Sequence, residues 1–204
     1  MNGNGGAPPR DAVAVVGIGC RFPGGIEDAA GFWRFLVAGS DAITEIPADR
    51  MDLERFFDPQ PATPGRIMSR WGGYLAGIDL LDADFFGVSP PEAERMDPQQ
   101  RLLLEVAWEA LEDAGQDLDR LKERRCGVFV GQWLSDFEAR LFADPERVDF
   151  LMTTGSGRYA SSGRISYALG LCGPSLTIDS ACSSSLDAVH LAVRSLRSGE
   201  SELA

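Results

Sequence analysis

Gly173-P-S-L-T-I-D-S-A-C-S-S-S-Leu186 is the stretch on which the fold turns. Gly173–Pro174 punctuates the chain, and Ser175–Asp179 then reads as a short buried strand. A helix follows from about Cys182 to Ser198, with Leu186, Val189, Val193 and Leu196 at i, i+3, i+7 and i+10 forming one apolar stripe of the kind that faces a core. Arg194 and Arg197 lie in its last turns, where cations suit the helix dipole, and Gly199 closes it. Cys182 therefore sits at a strand-to-helix junction, among neighbours small enough for a sharp turn.

Upstream, the same punctuation recurs. Ala12–Val16, rich in β-branched residues and ending at Gly17, reads as a buried strand, and Asp28–Ala38 as a helix stopped by Gly39. Residues 40–80 are rich in Pro, Gly and charge, and an irregular excursion is expected there. The clearest helix begins at Asp97, a good cap, with Pro98 at the first helical position and Gln100 completing a box-like pattern. Leu104, Trp108 and Leu111 fall on one face of it, and Gly115 ends it. Cys126–Val130 reads as a further buried strand. Strands separated by helices indicate an α/β fold with parallel pairing. Residues 1–11 read as a flexible lead-in. After the last helix only Gly199 to Ala204 remain, where a parallel sheet would need its next strand, so the chain is expected to be cut off within its domain.

Composition narrows the chemistry. Of 204 residues, 44% are hydrophobic, enough for a sizeable core. Acids outnumber bases 31 to 19, a formal charge of −12, which argues against nucleic acid. Cys20, Cys126, Cys172 and Cys182 show no paired spacing, and with a single histidine they make neither a disulfide frame nor a zinc site. No apolar run approaches about 18 residues, and the N-terminus lacks the pattern of a signal peptide. The expectation is a reduced, cytoplasmic protein with no membrane or nucleic-acid partner.

Two glycine patterns invite a nucleotide reading. Gly17-I-G-C-R-Phe22 lacks the third small residue, whereas Gly155-S-G-R-Y-Ala160 fits G-x-G-x-x-A, with Asp179 about twenty residues on. The strand that should precede the second is poorly marked, and such isolated matches are mostly turns and close packing. Cys182 is the stronger candidate. The positive end of a helix dipole favours a thiolate there, the small neighbours leave room for a bulky acyl group, and the Cys182 backbone N–H can help hold an oxyanion. The other three cysteines read as small buried hydrophobes. His190 would be the obvious base, but eight residues along the same helix place it about 12 Å away and well around the cylinder. It cannot serve Cys182 of its own chain.

Three segments in order, Val13-A-V-V-G-I-G-C-R-F-P-G-Gly25, Asp84-F-F-G-V-S-P-P-E-A-E-R-M-D-P-Q-Q-R-L-L-L-E-V-A-W-E-A-L-E-D-A-Gly115 and the Gly173–Leu186 stretch, strongly resemble the β-ketoacyl synthase (ketosynthase) domain of type I polyketide synthases. Fatty-acid synthases share parts of the pattern. The resemblance covers residues 12–204 and implies the N-terminal half of a thiolase-like fold, in which two similar α/β halves stack as five layers, usually in a homodimer. It implies that Cys182 takes an acyl chain from a phosphopantetheine thiol as a thioester, and that a malonyl-type extender on an acyl carrier protein is decarboxylated and attacks it. The family draws two histidines and a lysine for that step from its second half, so this stretch alone is not expected to condense. No cofactor is expected to be bound by the domain itself. The partners implied are an acyl carrier protein and adjacent polyketide synthase domains. The resemblance also puts Phe150–Gly157 near the dimer interface and makes Met152 a candidate contact in the acyl pocket. Met51, Pro91 and Ser180 depart from the commoner Trp, Arg and Thr, which bears on substrate or partner preference. Arg120, Lys122, Arg124 and Arg125 form the densest basic cluster, a carrier-docking candidate for which a solvated charge run is the preferred reading. The competing reading is a non-catalytic module that binds carrier protein or dimerises. A thiol hydrolase would need a base that the chain does not offer.

Overall fold

The computed structural model describes residues 12–122 and 124–204. The lead-in expected over residues 1–11 lies outside the described residues. The chain divides into two compact units, Gly19–Ile78 forming one and Asp79–Ala204, with residues 12–18, the other.

In the Gly19–Ile78 unit, helix α1 (Ala29–Val37) starts where Asp28 accepts the Gly31 N–H, and ends before Gly39, whose φ of 60° needs glycine. Residues 40–80 are less irregular than their composition suggests. Strands β1 (Ile43–Glu45) and β2 (Trp71–Gly73) pair antiparallel, and a one-turn helix α2 (Leu53–Phe56) lies between them. The strands are only three residues each, too short to leave a hydrophobic alternation in the sequence.

The second unit is built around a parallel pair. Strands β3 (Val128–Gly131) and β4 (Ser175–Ile178) run in register from Val128 opposite Ser175 to Gly131 opposite Ile178. Between Ile78 and β3 come the helices α3 (Pro90–Arg95), α4 (Pro98–Asp113) and α5 (Leu118–Leu121). The crossover from β3 to β4 carries α6 (Asp136–Leu141), α7 (Phe150–Ser156) and α8 (Tyr159–Leu169), and α9 (Ser184–Ser198) follows β4. Side chains alternate across the sheet as its pleat requires. Val128 and Val130 join Met96, Leu104, Ile165 and Leu169 in the core, and Gly131 backs onto the Ser184–Ser185 peptide. Helices thus cover both faces, α4 and α8 on one side and α9 on the other.

Helix α4 forms as its signals predict, with one difference. Asp97 caps it by accepting the Gln99 N–H at 2.8 Å. Gln100 does not complete the box. Its buried amide donates instead to the Thr154 and Gly157 carbonyls and accepts from Arg164, because three partners in the α7–α8 junction outcompete one amide at the helix start. Arg101, also buried, donates to the Asp79 and Met96 carbonyls, and burial pushes its guanidinium below the usual range.

Two expectations fail. Ala12–Val16 makes no strand: Val13, Val15 and Val16 are exposed, and the segment is held by Ile18, which donates to Asp113, and by Gly17, packed against the Ala110 carbonyl. A strand needs a ladder partner, and among the described residues none lies beside it. The α9 stripe also splits: Val193 and Leu196 are half-buried as expected, but its N-terminal half faces outward. Leu186 and Val189 are 75% and 60% exposed, whereas Ser184, Ala188 and Ser195 are buried. The sheet fixes this. A Cβ on Gly131 would lie 2.6 Å from the Ser184 carbonyl carbon, so α9 approaches β3 closely enough that only its small-residue face fits.

Candidate active site

Beyond Ile178, whose carbonyl accepts the Gln132 N–H at 3.0 Å, the chain leaves β4 and must reverse into α9 within a few residues. Asp179 begins the turn. Its Oδ1 accepts the Ala181 N–H at 3.1 Å, the side-chain-to-backbone bond that aspartate makes two residues ahead. Its Oδ2 receives the Arg158 guanidinium, which also donates to the Trp133 carbonyl. Ala181 then takes φ 55°, in the left-handed region. For a residue with a Cβ that conformation costs roughly 1–2 kcal/mol. A single 3₁₀ turn, Ala181–Ser183, joins the turn to α9 and carries Cys182 in the middle, its thiol exposed and free.

The serines knit this turn together. Ser184 Oγ donates to the Ala181 carbonyl at 2.7 Å and accepts the Ser180 N–H at 3.0 Å, and Ser184 is itself buried. Ser183 Oγ donates to the Ser180 carbonyl, and the Ser180 hydroxyl donates to Asp187. Ser183 gives α9 no side-chain cap, and the Ser184 N–H turns back to the Ala181 carbonyl. The Asp179 carboxyl lies below the usual carboxylate range, chiefly through the Ala181 N–H and then through Arg158. The small residues that sequence reasoning treated as room for a substrate are thus also the fastenings of the backbone.

Each remaining candidate has a definite place. His190 is exposed on α9 and continues the same helix away from Cys182. Met152 is buried in α7, its N–H donating to Asp149 and its carbonyl accepting from Ser156. Cys126 is buried, and burial pushes its thiol up from the ordinary 9.0. Cys20 is buried too, whereas Cys172 is exposed, against the expectation for it. Gly155-S-G-R-Y-Ala160 forms the junction of α7 and α8, two helices, and offers no strand-to-helix phosphate cradle. Its first glycine is there for packing, since a Cβ on Gly155 would meet the Arg95 carbonyl oxygen at 2.0 Å. In the basic cluster, Arg120 pairs with Asp117, Lys122 with Asp119, and Arg124 and Arg125 with Glu202. The four cations are all engaged in ion pairs, but they face three carboxylates, so one positive charge is left over. Among the described residues no group of three His, Cys, Asp or Glu could hold a metal ion, and no helix is long and apolar enough to cross a membrane.

Three residues of this site escape a reading by local pattern: Arg158, Asp187 and Gly131. The Gly155–Ala160 motif did pair Arg158's segment with Asp179 at the right separation, but by the wrong chemistry. The signal that could have found Asp187 is its place as an acid in the first turn of the last helix.

Residues 10–204 match the family described as Beta-ketoacyl synthase, N-terminal domain. A component of the phenolphthiocerol/phthiocerol polyketide synthase of Mycobacterium tuberculosis is 53% identical over 194 residues, which cover 95% of this chain and 13% of that protein. Pikromycin polyketide synthase component PikAII of Streptomyces venezuelae is 47% identical over 199 residues, 97% of this chain and 5% of that one. Among solved structures, the oxazolomycin ketosynthase domain OzmH KS7 of Streptomyces albus superposes with a TM-score of 0.85 at 40% identity, over 92% of this chain and 33% of that one. The module 6 ketosynthase of the Bacillus subtilis bacillaene synthase gives a TM-score of 0.77 at 35% identity, over 92% of this chain and 30% of that one. The chain therefore spans a small part of the curated relatives and about a third of the solved ketosynthases.

Proposed function

The chain belongs to the β-ketoacyl synthase family, as its N-terminal domain with a thiolase-like α/β fold, and from that premise we propose that Cys182 is the acyl acceptor of a polyketide ketosynthase. The observation that carries the reading is the turn itself: an exposed thiol on a left-handed strand-to-helix turn at the start of α9, whose N-cap Ser183 makes no side-chain cap.

The Cys182 thiolate attacks the carbonyl carbon of an acyl–phosphopantetheine thioester, and the negative charge passes to the carbonyl oxygen. The Cys182 backbone N–H is the donor assigned to that oxyanion. The tetrahedral species collapses by expelling the pantetheine thiolate, which takes up a proton, and the acyl group remains as a thioester on Cys182. In the second half-reaction a malonyl-type thioester loses carbon dioxide, its enolate attacks the acyl carbonyl, and Cys182 leaves as thiolate with a new carbon–carbon bond formed. We assign only acyl loading to residues 12–204. The single histidine lies along α9 away from Cys182, and the decarboxylation step has no acid–base pair here. The acyl donor is an acyl carrier protein, the surroundings are adjacent polyketide synthase domains, and the full domain works as a homodimer. Met152 is assigned to the wall of the acyl pocket. The free thiols suit a cytoplasmic setting. The non-catalytic alternative is not favoured, because it leaves the exposed Cys182 thiol and the turn that presents it without a role.

The test is direct acylation. Incubated with an acyl-pantetheine thioester, the chain should gain one acyl group, mapped by mass spectrometry to Cys182. C182S should lose the adduct entirely and C126S should keep it. An adduct persisting in C182S would refute the assignment. With a malonyl thioester added, no β-ketoacyl product should form, and product from this chain would show that condensation residues lie within it.

A further inference from the structure

Ala181 is one of two non-glycine residues with positive φ among the described residues, the other being Ala62 in the separate Gly19–Ile78 unit. An alanine has no intrinsic reason to stay there, because its Cβ crowds the following carbonyl oxygen. Something outside the residue must hold it, and two side-chain ties are visible beside the Ser184 backbone N–H, which also donates to the Ala181 carbonyl. Ser184 Oγ fastens the Ala181 carbonyl, and Asp179 Oδ1 fastens the Ala181 N–H at 3.1 Å. Cys182 is the next residue, so the direction of its thiol follows from the Ala181 dihedrals. Asp179 in turn is steadied by Arg158, which reaches from the start of α8 and anchors to the Trp133 carbonyl beyond β3.

We propose that Asp179 is a positioning residue: through the Ala181 N–H it holds the left-handed turn that aims Cys182, with Arg158 fixing the carboxylate's second oxygen. The inference rests on the reading of Cys182 as the acyl acceptor. The two partners do not contribute equally. Arg158 and Asp179 are 45% and 38% exposed, so water screens their ion pair. The hydrogen bond to Ala181 acts directly on the backbone. Removing the acceptor oxygen should therefore hurt more than removing the cation. A glycine at position 181 should make Asp179 dispensable, because glycine takes positive φ without help.

Timed iodoacetamide alkylation of the chain, read peptide by peptide, tests this, with buried Cys126 as an internal control for folding. In the unmodified chain Cys182 should react faster than Cys172. If it does not, both the acyl-acceptor reading and this inference fall. D179A should slow Cys182 by roughly tenfold, the strain penalty expressed as a population, while Cys126 stays protected. D179N keeps an acceptor oxygen and should stay within about threefold, as should R158M. D179A/A181G should return to within about threefold of A181G alone. Should D179A also expose Cys126, D179S replaces it, with a loss of about threefold and the same rescue by A181G required, since serine makes this turn more weakly. A fast Cys182 that D179A leaves unchanged, equal losses in D179N and D179A, or failure of A181G to rescue would each overturn the positioning role and leave the acyl-acceptor reading standing.

Discussion

Cys126 and Cys182 lie at opposite ends of one parallel strand pair, the first just before β3 and the second just after β4. Cys126 is buried beneath a bridge to Leu203, where Gly127 donates to the Leu203 carbonyl at 2.8 Å, and burial disfavours its thiolate. Cys182 stands exposed on a turn whose backbone is held by Asp179 and Ser184. The same side chain is a packing group in one place and an accessible thiol in the other. What separates them is the chain's path: a strand entering the sheet swallows its flanking residue, whereas one leaving it into a helix presents it.

The largest expected effect is the contrast itself. Under native conditions Cys182 should alkylate at least about a hundredfold faster than Cys126, whose labelling waits on local opening of the structure; comparable rates would end the comparison. Next comes G131A. Its new methyl would press on the Ser184 carbonyl carbon, so a loss of about 1–3 kcal/mol is expected from overpacking, read in a denaturant melt. Its effect on labelling should fall on Cys182 and spare Cys126. Alkaline pH offers a smaller test with a definite sign. Because the folded thiol of Cys126 lies above its ordinary value of 9.0, its neutral form stabilises the fold fully below that value. That contribution is lost as pH rises above 9.0 toward the folded value. The denaturant midpoint should therefore fall in this range, and less so in C126A. The smallest effect belongs to L186E, on the outward face of α9, where a change within about 0.5 kcal/mol is expected and neither thiol's rate should move.

The elements easiest to read were those whose signals are local. Asp97, Pro98 and Gly115 bounded α4, and the strand–cysteine–helix order of the Gly173–Leu186 stretch found the turn. What escaped depends on neighbours far along the chain. Ala12–Val16 has the composition of a strand but no ladder partner among the described residues, and pairing is not a property of one segment. Leu186, Val189, Val193 and Leu196 form a true stripe, yet Gly131, more than fifty residues earlier, sets so close an approach at the start of α9 that Ser184 and Ala188 go inward there and Leu186 and Val189 outward, while Val193 and Leu196 stay half-buried. Periodicity identifies two faces of a helix but does not say which the sheet admits. Cys172 escaped for a related reason, because its burial was inferred from residue type alone. The Gly155–Ala160 pattern and Asp179 lie at the spacing of a nucleotide motif, and only the fold shows that Asp179 meets Arg158 of that segment.

The parallel register of β3 and β4 has a kinetic consequence. Two parallel strands cannot meet through a tight hairpin; the whole of residues 132–174 must be closed into a loop before Val128 finds Ser175. The turn that presents Cys182 hangs from the far end of β4, with Gly131 behind it, so it acquires its shape only after that slow, long-range closure. During refolding, helical signal should appear first and thiol accessibility should pass through a non-native phase in which both cysteines react alike. The moment at which their rates diverge marks the docking of one strand beside the other.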